Sequence, residues 1–169
     1  LLKTTNAGEN WIQLPLPLSS WNISIQILDS LVMFIAGSSL LRTLNGGLNW
    51  TDISFESEVY WDLSFVNIYT GYIVSNFKVN RTTNAGNNWT LVRNDNNLYR
   101  GLDFKNENTG YNCGSGEILK TTNGGNNWMT LSPSFNNSVY FIDLNTGWIA
   151  GDGGGIIKTT NGGNNWYQQ

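Results

Sequence analysis

Histidine is absent from this 169-residue sequence. That removes the commonest general base and the commonest neutral metal ligand together. Cysteine is almost absent: Cys113 stands alone, so it can close no internal disulfide and has no companions for a metal site. No cofactor is expected. Charge is scarce as well, at 12% of residues, and 9 basic against 12 acidic side chains leave a net −3 with a pI near 4.7. Such a balance gives no footprint for nucleic acid. Long apolar runs are missing too. The most apolar stretch, Ile25 to Leu41, is interrupted by Gln26, Asp29, Ser30, Gly37, Ser38 and Ser39, and reads as two buried strands with a turn. No membrane insertion is expected. The chain opens on Leu1 without an initiator methionine or a secretory signal, so its beginning reads as cut and is uninformative about compartment.

What is present is aromatic and repetitive. Five segments align: KTTNAGENW (3–11), RTLNGGLNW (42–50), RTTNAGNNW (81–89), KTTNGGNNW (120–128) and KTTNGGNNW (158–166). Their tryptophans, Trp11, Trp50, Trp89, Trp128 and Trp166, recur at spacings of 39, 39, 39 and 38 residues. The intervening material repeats more loosely, with Phe65, Phe104 and Phe141 each six residues before Gly71, Gly110 and Gly147. The unit Asp29-Ser30-Leu31 departs from that scheme, having no Thr-Gly. Each unit reads as four short strands joined by tight turns. The three prolines, Pro15, Pro17 and Pro133, fall between units, where they break no ladder. A sheet this small cannot bury both faces alone, so the units must pack on one another. The expected fold is all-β, a β-propeller of four-stranded antiparallel blades. The units run approximately 1–13 (half a blade), 21–54, 59–93, 98–132 and 138–169. That count predicts a partial ring whose open ends meet further blades of a parent chain or another chain.

The core of the nine-residue box is Thr-x-Asn-x-Gly-x-x-Trp. It comprises Thr4, Asn6, Gly8 and Trp11; Thr43, Asn45, Gly47 and Trp50; Thr82, Asn84, Gly86 and Trp89; Thr121, Asn123, Gly125 and Trp128; and Thr159, Asn161, Gly163 and Trp166. This pattern resembles the Asp-box, or BNR repeat, with asparagine in place of the usual aspartate in all five copies. It is also similar to repeats of the photosystem II stability and assembly factor family and of bacterial secreted propellers, a likeness carried by phrases such as NTGWIAGDGGGIIKTTNGGNNW. The box chemistry is structural. Asn and Gly tolerate positive φ, the Asn side chain accepts backbone N–H bonds across the turn, and the Trp buries a large ring.

The resemblance to Asp-box proteins brings sialidases into view, and with them a glycoside hydrolase fragment or a carbohydrate-binding propeller. Such a site needs paired carboxylates or a tyrosine nucleophile and an arginine cluster. Arg42 and Arg81 occupy a repeated box position, however, and Asp62, Asp103 and Asp143 sit in different registers. The chain is therefore expected not to be an enzyme. The basic residues opening the boxes, Lys3, Arg42, Arg81, Lys120 and Lys158, read as solvated strand positions rather than a band for an anionic partner. Gly151 to Gly155 reads as a hairpin turn and Cys113 as a buried small hydrophobe. Divergence concentrates in the links Leu14–Ser20, Thr51–Glu58, Thr90–Asn97 and Met129–Asn137, where function is expected. Glu56, Glu58, Arg93, Asn94, Asp95, Asn96, Asn97 and Tyr99 are the candidate contacts for a protein or carbohydrate ligand. The leading expectation is a non-catalytic scaffold or interaction module of a larger bacterial surface or secreted protein. An assembly factor for a membrane protein complex is a further alternative implied by the resemblance.

Overall fold

The computed structural model describes residues 1–17, 21–114, 116–132 and 136–169. Pro133 and the end of the first link, Leu18 to Ser20, lie outside the described residues. Four antiparallel sheets follow one another along the chain. Blade one holds β3 (Asn22–Ile27), β4 (Met33–Gly37), β5 (Leu41–Thr43) and β6 (Thr51–Asp52). Blade two holds β7 (Tyr60–Phe65), β8 (Gly71–Ser75), β9 (Lys78–Thr82) and β10 (Thr90–Asn94). Blade three holds β11 (Tyr99–Phe104), β12 (Gly110–Gly114), β13 (Glu117–Thr121) and β14 (Met129–Ser132). Blade four holds β15 (Asn136–Phe141), β16 (Gly147–Gly151), β17 (Ile156–Thr159) and β18 (Tyr167–Gln168). Before them, β1 (Leu2–Lys3) and β2 (Ile12–Gln13) pair as a two-stranded sheet in the place of a third and fourth strand. Among the described residues the sole helical element is a 3-10 turn at Asp152–Gly154, inside the glycine-rich hairpin.

Strand order within each sheet is sequential, so hairpins alone account for the topology. The turns between first and second strands share one recipe. Asp29, Asn67, Asn106 and Asp143 each accept two backbone N–H bonds through Oδ1, at 2.7–2.9 Å, from the residues two and three further on. These bonds hold the carboxyls of Asp29 and Asp143 below their ordinary value. The unit that lacks Thr-Gly therefore makes the same turn through Asp29.

Blades join through aromatic columns. Phe65 stacks on Phe34 of the preceding blade, Phe104 on Tyr72 and Phe141 on Tyr111, with ring centroids 3.7, 3.4 and 3.6 Å apart. On its other face each Phe ring lies flat against a glycine of its own second strand. A Cβ at Gly71, Gly110 or Gly147 would stand 2.4–2.5 Å from ring carbons of Phe65, Phe104 or Phe141. The box tryptophan meets the same ring edge-on, with Trp89, Trp128 and Trp166 at 6.1, 6.0 and 6.2 Å. Burial of these tryptophans is less complete than the sequence implies. Trp50, Trp89, Trp128 and Trp166 are half-buried and Trp11 is 58% exposed, because the column ends at the indole and solvent covers its outer face.

The box is held by two side chains. Asn6, Asn45, Asn84, Asn123 and Asn161 each accept a backbone N–H from four residues on through Oδ1, at 2.9–3.0 Å. The threonine does more than spacing alone reveals. Thr121 Oγ1 donates to Asn123 Oδ1 and accepts the N–H groups of Asn123 and Gly125, and the other four boxes repeat the set. Thr121→Val leaves the Gly125 N–H unpaired at a buried position, which should cost about 1–3 kcal/mol. Chemical denaturation reads this directly, and an unchanged urea midpoint would show the hydroxyl to be dispensable.

Candidate interaction face

Links between blades and the turns joining second to third strands lie at one end of the sheets. There each first strand carries a bulge. The ladder skips from Asn22 to Ser24, Tyr60 to Asp62, Tyr99 to Gly101 and Asn136 to Ser138. The extra residues are Ile23, Trp61, Arg100 and Asn137, equivalent positions of successive blades. Arg100 lies over the Trp61 ring, 5.4 Å from its centroid, and the Trp61 indole donates to Asn76 Oδ1 at 3.0 Å. An aromatic plane with a guanidinium resting on it is a preorganised platform for a polar partner. Arg100 is exposed and Trp61 is partly so.

The residues expected to contact a ligand are placed differently from one another. Glu56 and Glu58 both close on Lys78 at 2.8 Å, and the ammonium depresses the Glu58 carboxyl while its own pKa rises. Arg93 pairs with Asp95 at 2.6 Å, and Tyr99 donates to Asp95 Oδ2 while accepting from Arg93 Nε. Asp95 also accepts the Asn97 N–H at 2.9 Å, closing the link on itself. Tyr99 is buried, and burial foremost drives its hydroxyl pKa upward. It anchors the link and is withdrawn as a ligand contact. Glu56 and Glu58 are half-buried against Lys78 and Arg93 against Asp95, and Asn94 and Asn96 remain the outward-facing members of the set. Trp61 and Arg100 were not among the expected contacts. Their signal lies in the spacing: Tyr60 and Phe65 are both buried yet five apart, which strict alternation forbids without a bulge.

The inner carboxylates are structural. Asp62 accepts from Ser24 Oγ at 2.7 Å in the preceding blade and from the Leu102 N–H at 2.8 Å in the following one. Asp103 accepts the Phe141 N–H of the next blade and pairs with Lys105 at 2.9 Å. Burial, the dominant influence, raises both carboxyls above the ordinary value despite these bonds. Cys113 is fully buried, which pushes its thiol up to about 12. No group of three or more metal-ligating side chains occurs among the described residues.

In the sequence the box cations read as solvated strand positions, but three of them are tied to the neighbouring box. Lys3 Nζ donates to Gly46 O at 3.1 Å, Arg42 Nη1 to Ala85 O at 2.6 Å and Lys120 Nζ to Gly162 O at 2.9 Å. Each bond runs from one box to the turn of the next, and all five cations are half-buried. Arg81 lies over Tyr72 at 5.8 Å. Lys3, Arg42 and Lys120 thus couple one unit to the next, while Arg81 and Lys158 rest on rings of their own blades.

Four-stranded sheets stacked through their first and second strands define the chain as β-propeller blades, and solved structures agree. A YCF48 structure from Cyanidioschyzon merolae superposes with a TM-score of 0.77 at 20% identity, covering 94% of this chain and 59% of that one. A structure described as YCF48 bound to D1 peptide gives 0.64 at 15% identity, covering 94% and 83%. A GH74 enzyme from Niastella koreensis gives 0.68 at 18% identity, covering 83% of this chain and 28% of that one. No protein-family model and no curated protein matches the sequence.

Proposed function

We propose that this chain is a non-catalytic interaction module, part of a surface or secreted protein, whose link face holds a protein segment. One observation carries the reading: the carboxylates a hydrolase would need are already engaged. Glu56 and Glu58 share Lys78, Asp95 holds Arg93 and Tyr99, and Asp62 and Asp103 cap backbone N–H groups of neighbouring blades. A general acid or nucleophile has to be free to exchange a proton or attack a sugar carbon. What the face offers outward instead is Trp61, Arg100, Asn94 and Asn96, a set suited to holding a polypeptide. The YCF48 neighbour described as bound to a peptide supports the same reading.

Two measurements test it together. Fluorogenic sialosides and other aryl glycosides should be cleaved no faster than in buffer. A displayed peptide library should yield binders whose capture falls at least about tenfold with Trp61→Ala, while a glycan array stays blank. Turnover abolished by Glu56→Gln or Asp62→Asn would overturn the proposal. Recognition of glycans rather than peptides would move the site to a carbohydrate ligand.

A further inference from the structure

Three junctions join the four-stranded blades, and the middle one differs from those on either side of it. At the first, Arg42 Nη1 donates to Ala85 O at 2.6 Å and to Asn87 Oδ1 at 3.2 Å. At the third, Lys120 Nζ donates to Gly162 O at 2.9 Å. At the second, the corresponding cation is Arg81, and its head group lies beside the turn of the next box. A Cβ on Gly124 would stand 3.6 Å from Arg81 Nη1. Yet among the described residues the guanidinium has no hydrogen bond or ion pair, and its Nε is buried without a partner. The Tyr72 ring, 5.8 Å away, holds it in place. Glu107, whose carbonyl borders the same turn, spends its Oε1 on Asn67 and Thr70 instead.

Beside Arg81 lies a polar cleft of about 310 Å³ between the two boxes, lined by Arg81, Thr83, Asn88, Thr90 and, from blade three, Asn126. Among the described residues no carboxylate lines it. Thr90 is the cross-strand partner of Arg81, and Thr83 follows Arg81 by two residues, so all three share one side of the sheet. Blade two alone has threonine at both places. The corresponding pairs in the other units are Thr5 and Ile12, Leu44 and Thr51, Thr122 and Met129, and Thr160 and Tyr167. Thr83, Asn88 and Thr90 are exposed, and their side chains have no hydrogen bond among the described residues.

We propose that this cleft binds a small oxyanion ligand, through a carboxylate or phosphate group seated on Arg81. The outer nitrogens of a guanidinium form a planar fork that matches two oxygens of such a group. The hydroxyls of Thr83 and Thr90 and the amide of Asn88 are donors for the remaining oxygens. An uncompensated cation with no carboxylate facing it sets the sign of the ligand. The anion lies between Arg81 of blade two and Asn126 of blade three, bridging the junction that lacks its own cation-to-carbonyl bond. The cleft is at the box end of the sheets, opposite the link face, and is independent of what Trp61 and Arg100 hold.

The test titrates the full chain at low ionic strength with inorganic phosphate and with malate, and with chloride as the control. In two-dimensional NMR the side-chain amide signals of Asn88 and Asn126 should shift saturably. The melting temperature should rise with the same ligand and not with chloride at equal ionic strength. A response to phosphate alone assigns a tetrahedral group, and one to malate alone a carboxylate. Arg81→Gln should weaken binding by about tenfold or more. That change also removes packing on Tyr72, so a second variant reads the site by itself. Thr83→Val combined with Thr90→Val, at exposed positions, should keep the urea midpoint and weaken binding by about tenfold. Arg42→Gln, at the first junction, should leave binding unchanged. No response to either probe, or a response that chloride reproduces, overturns the proposal. So does binding that survives undiminished in the Arg81 variant or in the threonine pair.

Discussion

Phe104→Ala is expected to lower the unfolding free energy by about 3–5 kcal/mol, among the largest single losses available to this chain. The ring is 4% exposed and touches three partners at once: Tyr72 of the preceding blade on one face, Gly110 on the other and the Trp128 edge at its rim. Removing it opens a cavity at a junction between two blades, which neither sheet can close without moving the other. Trp128→Ala should cost less, since that indole is only half-buried and its Nε1 has no hydrogen-bond partner to lose. Asn94→Ala, at an exposed strand end, should be close to neutral. Urea midpoints at constant m-value give the ranking. A Trp128 loss larger than that of Phe104 would mean that the indole, not the stacked ring, closes the junction.

Gly110→Ala should also be destabilising, for the opposite reason. A Cβ there falls 2.5 Å from three carbons of the Phe104 ring, and the ring cannot retreat because Tyr72 stacks behind it at 3.4 Å. Overpacking of this kind costs about 1–3 kcal/mol or more. The chain contains its own control. Blade one has Met33 at the glycine position and Ile27 at the phenylalanine position, paired across the same rung. A side chain is tolerated there once the flat ring is gone. Combining Gly110→Ala with Phe104→Leu should therefore be less damaging than the two separate losses added together, with a coupling of about 1 kcal/mol or more in a double-mutant cycle. Strict additivity would show that the glycine is required by the backbone and not by the ring.

Much of this architecture is legible in the sequence because the repeat aligns positions that see the same environment. Five copies of Thr-x-Asn-x-Gly-x-x-Trp locate the third and fourth strands, and the constant offset from Phe65 to Gly71 locates the first and second. Even Asp29, in the unit that lacks Thr-Gly, is readable, since it lies two residues after Ile27 just as Asn67 lies two after Phe65. What stayed hidden depends on partners distant in sequence. Nothing adjacent to Lys120 announces that its ammonium reaches a carbonyl 42 residues away, and a strand cation reads as solvated until the neighbouring blade is placed. The candidate site suffered in the same way. Glu56, Glu58, Arg93 and Asp95 looked available as loop residues rich in polar groups, but opposite charges close together find each other before they find a ligand. Trp61 and Arg100 were missed because their signal, an apolar pair five residues apart, marks a bulge and not what the bulge turns toward the rim.

In the second box the cation that reaches the next box and the carbonyl that receives the previous one belong to the same nine-residue segment: Arg42 reaches Ala85, and Gly46 receives Lys3. Lys3 reaches Gly46, Arg42 reaches Ala85 and Lys120 reaches Gly162, and every acceptor sits in a box that opens with a cation of its own. A unit built this way is its own complement, like a tile with a tab on one side and the matching notch on the other. Copying the gene segment for one unit copies both halves of the joint, so a newly duplicated neighbour fits at once, with no second mutation needed to make it compatible. Drift in the links leaves intact the means by which the array lengthens.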